Sequence, residues 1–316
     1  MAQRKTRKMR KGGGKSTREG GTLAQRARQR VSESTLKAAK ASLARARNIG
    51  DGARRVIHPD SLGTPHISLI RAPDKPFRRS RNENLIRVAS YNVHRWAGVN
   101  GRGKPNFDRA ADVIADLDAD VIALQEVLRP FETTYGLEEF AQELGLHVAF
   151  ASNRVHRRGE LGNAILSRFP ITSVSVLDLF SSRIERRCAL AAGVNTGSGI
   201  FGVVATHLSL VDRTRHRQVE MLLEHPQWNA GPAVLVGDMN AWRDCKASRN
   251  LEDTLHRHNN VDWPPTFPSS RPILALDRIY ASGAKVVSVK AYISQAARRA
   301  SDHLPVVANI RIGSGT

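Results

Sequence analysis

Acidic, amide and imidazole side chains recur along this chain at the ends of short apolar runs, which is where chemistry would be sited. Glu126 stands just past the run Val121–Leu124, and Asp238 just past Val234, Leu235 and Val236. A carboxylate at the edge of a core costs free energy unless it is paired or holds a metal. Asn92 in SYNVH, Asn163 in GNAILSR, His207 in ATHLSL, Asn240 in GDMNA, Asp277 in LDRIY, and Asp302 with His303 in SDHLPV occupy similar places. Taken singly, each is ordinary: Asn and Asp cap helices and shape turns, and a lone His can be a satisfied core residue. Two carboxylates ending two buried strands, however, should converge at one rim of a sheet. Hard oxygen donors without paired cysteines suit Mg2+, Mn2+ or Ca2+ rather than zinc. Such a site could orient a water and neutralise negative charge that develops on an oxygen.

Strands must carry these groups. Leu85–Tyr91 alternates in the manner of a strand, and Val121–Leu124 reads as a buried one. Further short apolar strands fall at 147–151, 162–167, 171–179, 188–194, 200–206, 233–237, 274–280, 285–292 and 305–312. Helical spacing puts Phe107, Ala110, Ala111, Ile114 and Leu117 on one face, and marks Leu137–Leu144 and 212–224 as well. Many short strands with few helices between them predict an α/β (α+β) chain of two packed sheets flanked by helices, not a doubly wound parallel sheet.

Charge divides the chain. Residues 1–81 hold 22 Lys/Arg and 5 Asp/Glu, a net +17, while 82–316 hold 27 and 24, a net +3. Residues 1–22 have almost nothing to bury and are expected to be disordered. Residues 23–48 favour a marginal basic helix, and 53–83, with Pro59, Pro65, Pro73 and Pro76, read as an extended linker. The expected division is therefore a basic tail and linker over 1–83 and a catalytic domain over 84–316. Two cysteines, Cys188 and Cys245, make neither a disulfide framework nor a zinc site, which points to a reducing compartment. Cytoplasmic or nucleoid-associated residence follows as the expectation, with an organellar presequence left open by the Arg-rich start. No apolar run approaches a transmembrane span.

The ordered set Asn92, Glu126, Asn163, His207, Asp238-x-Asn240, Asp277 and Asp302-His303 resembles the endonuclease/exonuclease/phosphatase superfamily over about residues 84–314. GDMNA or SDHLPV alone would be weak, but the motifs together in the family's order are specific. The resemblance implies a four-layer sandwich of two mixed β-sheets flanked by helices, with the site at one rim. It implies a divalent ion, Mg2+ or Mn2+, held by Glu126 with Asn92, and with Asp302 near the metal or nucleophile. It implies Asp238 at the attacking water, Asn240 on the phosphate, His303 on the scissile phosphate with its ring oriented by Asp277, and His207 donating to the phosphate or leaving oxygen. Asn163 is expected on the substrate.

The substrate is less sharply written. THLSL resembles the deoxyribonuclease, sphingomyelinase and inositol-phosphatase branches, and the Tyr-containing motif of abasic-site repair nucleases is missing before Gly162. Arg154, Arg157 and Arg158 lie where substrate could be gripped, and a solvated turn is an equal reading of that loop. The basic tail would bind any polyanion. Nucleic acid is the first expectation. A phospholipid or inositol-phosphate hydrolase at an anionic membrane is the second. An inactive binding domain is a third, disfavoured by intact Glu126, Asp238 and His303.

Overall fold

Valine, isoleucine and alanine dominate the strands, because branched or small apolar side chains fit a pleated surface covered on both faces. The computed structural model describes residues 64–77, 84–102, 104–131, 135–156, 159–179, 185–256, 259 and 261–313. The first strands are β1 (His66–Arg71), β2 (Leu85–Asn92), β3 (Val121–Pro130), β4 (His147–His156), β5 (Gly159–Ser167) and β6 (Ile171–Asp178). They are followed by β7 (Cys188–Asn195), β8 (Ile200–His207), β9 (Ala233–Asp238), β10 (Asp277–Ser282), β11 (Ala284–Ala291) and β12 (Val306–Ile312). The helices are α1 (Asp108–Asp116), α2 (Leu137–Glu143), α3 (Asp212–Leu223), α4 (Lys246–Leu255) and α5 (Ala297–Ala300).

The strands form a seven-stranded sheet, in order β1-β4-β5-β3-β2-β12-β11, and a five-stranded sheet, in order β10-β9-β8-β7-β6. One buried cluster lies between the sheets and includes Ile165, Val203 and Val236. A second packs α1, α2 and α5 on the larger sheet, and a third packs α3 and α4 on the smaller. The result is the expected four-layer α/β sandwich. Each fully buried side chain of the middle layer contributes roughly 1.5–3 kcal/mol.

Each sheet contains one parallel pair, β2 with β3 and β8 with β9, and the remaining pairings are antiparallel. Parallel neighbours end at the same rim. Asn92 is therefore opposite Gln125, and His207 opposite Asp238, while antiparallel β10 brings Asp277 level with Asp238. The pairings thus align residues of five motifs that lie far apart in sequence.

Two sequence expectations change. The linker assigned to 53–83 contains β1, which pairs with β4. Phe77 N donates to Gly145 O at 3.0 Å, and the Arg168 guanidinium stands 4.1 Å from the Phe77 ring centroid. The larger sheet thus takes in His66–Arg71, within the span read as linker. Prolines misled here: Pro65 and Pro73 flank a short edge strand, where a missing N–H breaks no ladder. Helix α4 was also not expected, although Ala247, Leu251 and Leu255 share a buried face. The tail and marginal helix assigned to 1–48 lie outside the described residues. Among the described residues no helix is long and apolar enough to cross a membrane.

Candidate active site

Local backbone geometry turns the key groups toward the rim. Between Leu124 and Val127 the register of β3 against β5 slips, so Gln125 and Glu126 together face Asn163. Glu126 adopts φ +52°, a left-handed conformation rare for a residue with a side chain, and sits partly open at the bulge. Gly162, beside it, could not carry a Cβ, which would fall 1.8 Å from Ala151 O. Asn240 is also left-handed, at φ +49°. Its N–H donates to Asp238 Oδ1 at 2.9 Å, closing a tight turn after β9, and its Nδ2 donates to Leu208 O at 2.8 Å. At most one amide proton of Asn240 is left for a phosphate oxygen.

Asp238 lies at the centre. Its Oδ2 accepts from Asn92 Nδ2 at 3.2 Å and faces His207 Nε2 at 3.4 Å and His303 Nε2 at 3.6 Å. Burial first, then the Asp277 charge, pushes its pKa up to about 6, while His303, the Asn240 N–H and Asn92 oppose the rise. A carboxylate that holds a proton near neutral pH can take one from water there.

The two imidazoles differ. His303 Nδ1 lies 2.8 Å from Asp277 Oδ2, which also accepts from Thr266 Oγ1 at 2.5 Å. Burial opposes charge on the His303 ring, but Asp277, Asp238 and Asp302 outweigh it and hold its pKa well above the usual value. His303 is therefore an imidazolium, with one N–H on Asp277 and the other toward Asp238. His207 is the reverse: burial and the neighbouring Arg187 keep it neutral, against the pull of Glu126. Arg187 lies 2.9 Å from His207 Nδ1. A guanidinium can only donate, so the ring proton sits on Nε2 and points at Asp238.

Glu126 faces cations. Burial works to raise its pKa; with His207 neutral, the charges that hold it below the usual carboxylate range come from the other side, Arg95 and Arg187, with His94 beside them. Asp302 stands nearby and has its pKa raised, by burial and by Glu126, against His303 and His94. Asn92 Oδ1 accepts from His94 N at 3.0 Å, and His94 Nδ1 lies 3.1 Å from Asp302 Oδ1. Two mutually repelling carboxylates beside an amide oxygen form a hard donor set that a divalent cation would relieve. Asp238, Asp277 and His303 also cluster tightly enough to hold an ion. A protonated His303 offers a metal no lone pair, so that cluster supplies two carboxylate ligands, while Glu126, Asp302 and the Asn92 amide oxygen are acceptors that could hold an ion.

Asn92, Glu126, His207, Asp238, Asn240, Asp277, Asp302 and His303 thus lie near one another; the strand-end pattern predicts this for Glu126 and Asp238, and the family resemblance implies it for the others. Asn163 does not reach the open site. It is fully buried, and its Nδ2 donates to Cys188 O at 2.9 Å, tying β5 to β7 across the layers. Arg154 is exposed, and its charge is felt at Arg95, Arg187 and Glu126. Arg157 and Arg158 lie outside the described residues. Sequence reasoning missed Arg187, His94, Arg95 and Thr266, and also Ser301, whose Oγ donates to Asn92 O at 2.6 Å. Arg187 shares a motif-like ERRCAL run with Glu185, to which it donates at 2.7 Å. The others carry no signal in isolation.

Comparison with known proteins agrees with this geometry. The model of the endonuclease/exonuclease/phosphatase family matches residues 89–303. The uncharacterized protein YbhP of Escherichia coli is 30% identical over 250 residues, covering 72% of this chain and 96% of YbhP. An endonuclease/exonuclease/phosphatase from Beutenbergia cavernae superposes with a TM-score of 0.59 at 26% identity, covering 73% of this chain and 72% of that one. D. rerio TDP2, solved with single-strand DNA product, superposes at 0.52 with 16% identity, covering 72% of this chain and 99% of that one.

Proposed function

The chain belongs to the endonuclease/exonuclease/phosphatase family of phosphate-ester hydrolases, and from that footing we propose that it is a divalent-metal-dependent phosphodiesterase acting on nucleic acid. The observation that carries the reading is the convergence on Asp238. One buried carboxylate with a pKa near 6 meets a neutral His207, a charged His303 and the Asn92 amide at the rim where two parallel strand pairs end.

The donor set fits Mg2+ or Mn2+ at Glu126, with Asn92 and Asp302 beside it. A bound ion would supply charge neutralisation on the phosphate oxygens. The protein's own groups do the rest. Asp238 orients the attacking water and accepts its proton. The His303 imidazolium, fixed by Asp277, donates from Nε2 to a phosphate oxygen, where charge builds up in the transition state. His207, with its proton on Nε2, donates to the phosphate or to the departing oxygen. Asn240 offers its remaining amide proton.

Nucleic acid is favoured by charge. The net +17 of residues 1–81 suits a polyanion, and Arg154 and Arg95 add cationic groups at the rim itself. That D. rerio TDP2 was solved with single-strand DNA product supports the idea that this fold accommodates such a chain. The test is a substrate panel with Mg2+ or Mn2+: plasmid DNA, single-stranded DNA, RNA, inositol phosphates and phospholipid vesicles. Cleavage of the nucleic acids with diester products is expected. Turnover confined to the lipid or inositol arms refutes the substrate assignment, and no turnover in any arm refutes the enzyme.

A further inference from the structure

The segment between β2 and α1 contains a feature that the hydrolytic reading does not require. His94, Arg95 and Trp96 have φ of 45°, 57° and 59°, so three successive side-chain-bearing residues are left-handed. Such a conformation is unfavourable for every L-residue that adopts it and persists only where its surroundings over-determine it. Here they do. Trp96 Nε1 donates to Leu128 O at 2.6 Å, Trp96 N to Val93 O at 2.9 Å, and Asn106 N to Trp96 O at 2.8 Å. The turn delivers Arg95 to the rim, with Nε 3.5 Å from Glu126 Oε2 and no hydrogen-bond acceptor of its own. The other carboxylate oxygen, Oε1, faces His207 at 3.9 Å. Arg95 therefore lies on the side of Glu126 away from the reacting cluster.

Arg154 lies on β4 opposite Leu161 of β5, which in turn pairs with Leu128 of β3, two residues past Glu126. Burial and the like charges of Arg95 and Arg187 disfavour the charged form of Arg154, with Glu126 in opposition, which places these groups in one electrostatic neighbourhood. Arg187 is engaged with His207 and Glu185. Arg154 is exposed. Glu126 is thus the counter-charge of Arg95, with the Arg154 strand position beside the same bulge. A dication held by Glu126 would leave Arg95 without that counter-charge, beside an open rim.

We propose that Arg95 and Arg154 form a second anion subsite, one that takes the phosphate flanking the scissile diester. The inference rests on the phosphodiesterase reading and deepens it. The preferred substrate carries a further phosphate adjacent to the bond that breaks, either internucleotide or terminal. Planar guanidiniums suit this task, since each can meet two phosphate oxygens at once. The strained turn is retained because it holds Arg95 in place before substrate arrives.

The test compares the thymidine dinucleotides TpT, pTpT and TpTp in Mg2+. A gain of roughly tenfold in kcat/KM is expected for one of the phosphorylated forms, from one or two charge-assisted contacts. Which form gains identifies the side of the diester. Arg95→Gln and Arg154→Gln should each bring that ratio toward one. Binding is measured separately by calorimetry, using the uncleavable methylphosphonate analogues of the same dinucleotides. The phosphorylated analogue should bind tighter to the wild type, and the gain should shrink in both variants. A chain ending in a phosphate and a longer oligonucleotide with an internal phosphate at that position distinguish the two sources. Equal rates and equal binding with and without the extra phosphate overturn the subsite, while TpT cleavage would still uphold the phosphodiesterase. A binding preference with no cleavage of any dinucleotide upholds the subsite and removes the activity. Variants that keep the full ratio overturn the assignment to these two residues.

Discussion

Asp277→Asn offers the sharpest test of the proposed chemistry. Asp277 is completely buried, and one oxygen, Oδ2, serves both His303 Nδ1 at 2.8 Å and Thr266 Oγ1 at 2.5 Å. The amide that replaces it is neutral, and one of its two ends is a donor. It cannot present an acceptor with full charge to both neighbours. His303 then loses the nearest of the charges that hold it protonated and retains Asp238 and Asp302. Its pKa should fall toward the ordinary range near 6.5. At pH 8 most molecules would lack the imidazolium, and the remaining fraction would be less well oriented. A loss of about 10²–10⁴ in kcat is expected, in line with the contribution of a positioned proton donor. The alkaline limb of the rate profile should move to lower pH. Hydrolysis of bis-p-nitrophenyl phosphate in Mn2+, followed from pH 5 to 9, reads both effects, and nitrogen-15 NMR of the ring reads the titration directly. Thr266→Val is the companion variant. It removes one hydrogen bond to a charged group while leaving the charge, so it should cost roughly 1.5–3 kcal/mol in stability or less and leave His303 protonated. Wild-type rate and an unshifted profile in Asp277→Asn would refute the imidazolium role of His303.

The other expectations are more direct. Glu126→Gln should weaken Mn2+ binding in calorimetry and lower turnover by at least two orders of magnitude, with an unchanged circular dichroism spectrum; full activity in that variant, or in excess EDTA, rules out the metal reading. Removing residues 1–62, which carry 17 Lys/Arg against 4 Asp/Glu, should leave turnover of a small diester while weakening DNA binding and flattening its salt dependence, because fewer counterions are released. Removing 1–81 should in addition lower the melting temperature, since β1 and the Phe77 contacts go with it; equal melting of the two truncations would show that β1 contributes nothing. His256, buried and with its pKa brought down to about 4 by burial, accepts from Ala281 N through Nδ1 at 3.2 Å. The unfolded chain takes up this proton near pH 6.5 and the folded one only near 4, so stability should be lost as pH falls through that window, by about 3 kcal/mol at most. Denaturant unfolding at pH 7 and pH 5, with His256→Asn losing less over the interval, checks the sign.

Much of this was legible in the sequence. The apolar runs before Glu126 and Asp238 mark strands that must be buried, and a carboxylate at the end of such a run is intelligible only with a partner. Period and composition also gave the strands, the layered class and the helices α1, α2 and α3. β1 was hidden because six residues between prolines carry too little pattern, and it becomes a strand only through the edge that β4 offers. Helix α4 was legible in the spacing of Ala247, Leu251 and Leu255 but was not expected.

Side-chain identity and local pattern determined which residues could do chemistry, because hydrophobic period and the cost of burying charge are local properties of the chain. Their electrical states were decided by tertiary structure alone. His207 and His303 are the same residue type, yet one is held neutral by Arg187 and burial while the other is held charged by Asp277 and Asp238. Asn163 looked like a substrate contact and is instead engaged with Cys188 on the opposite sheet. Arg95 is an unremarkable arginine in sequence, and it reaches Glu126 only because a left-handed turn aims it there. The physical reason is common to all three. Charge and hydrogen-bond energies depend on distances of a few ångströms between groups far apart along the chain, and only the packed sheets set those distances.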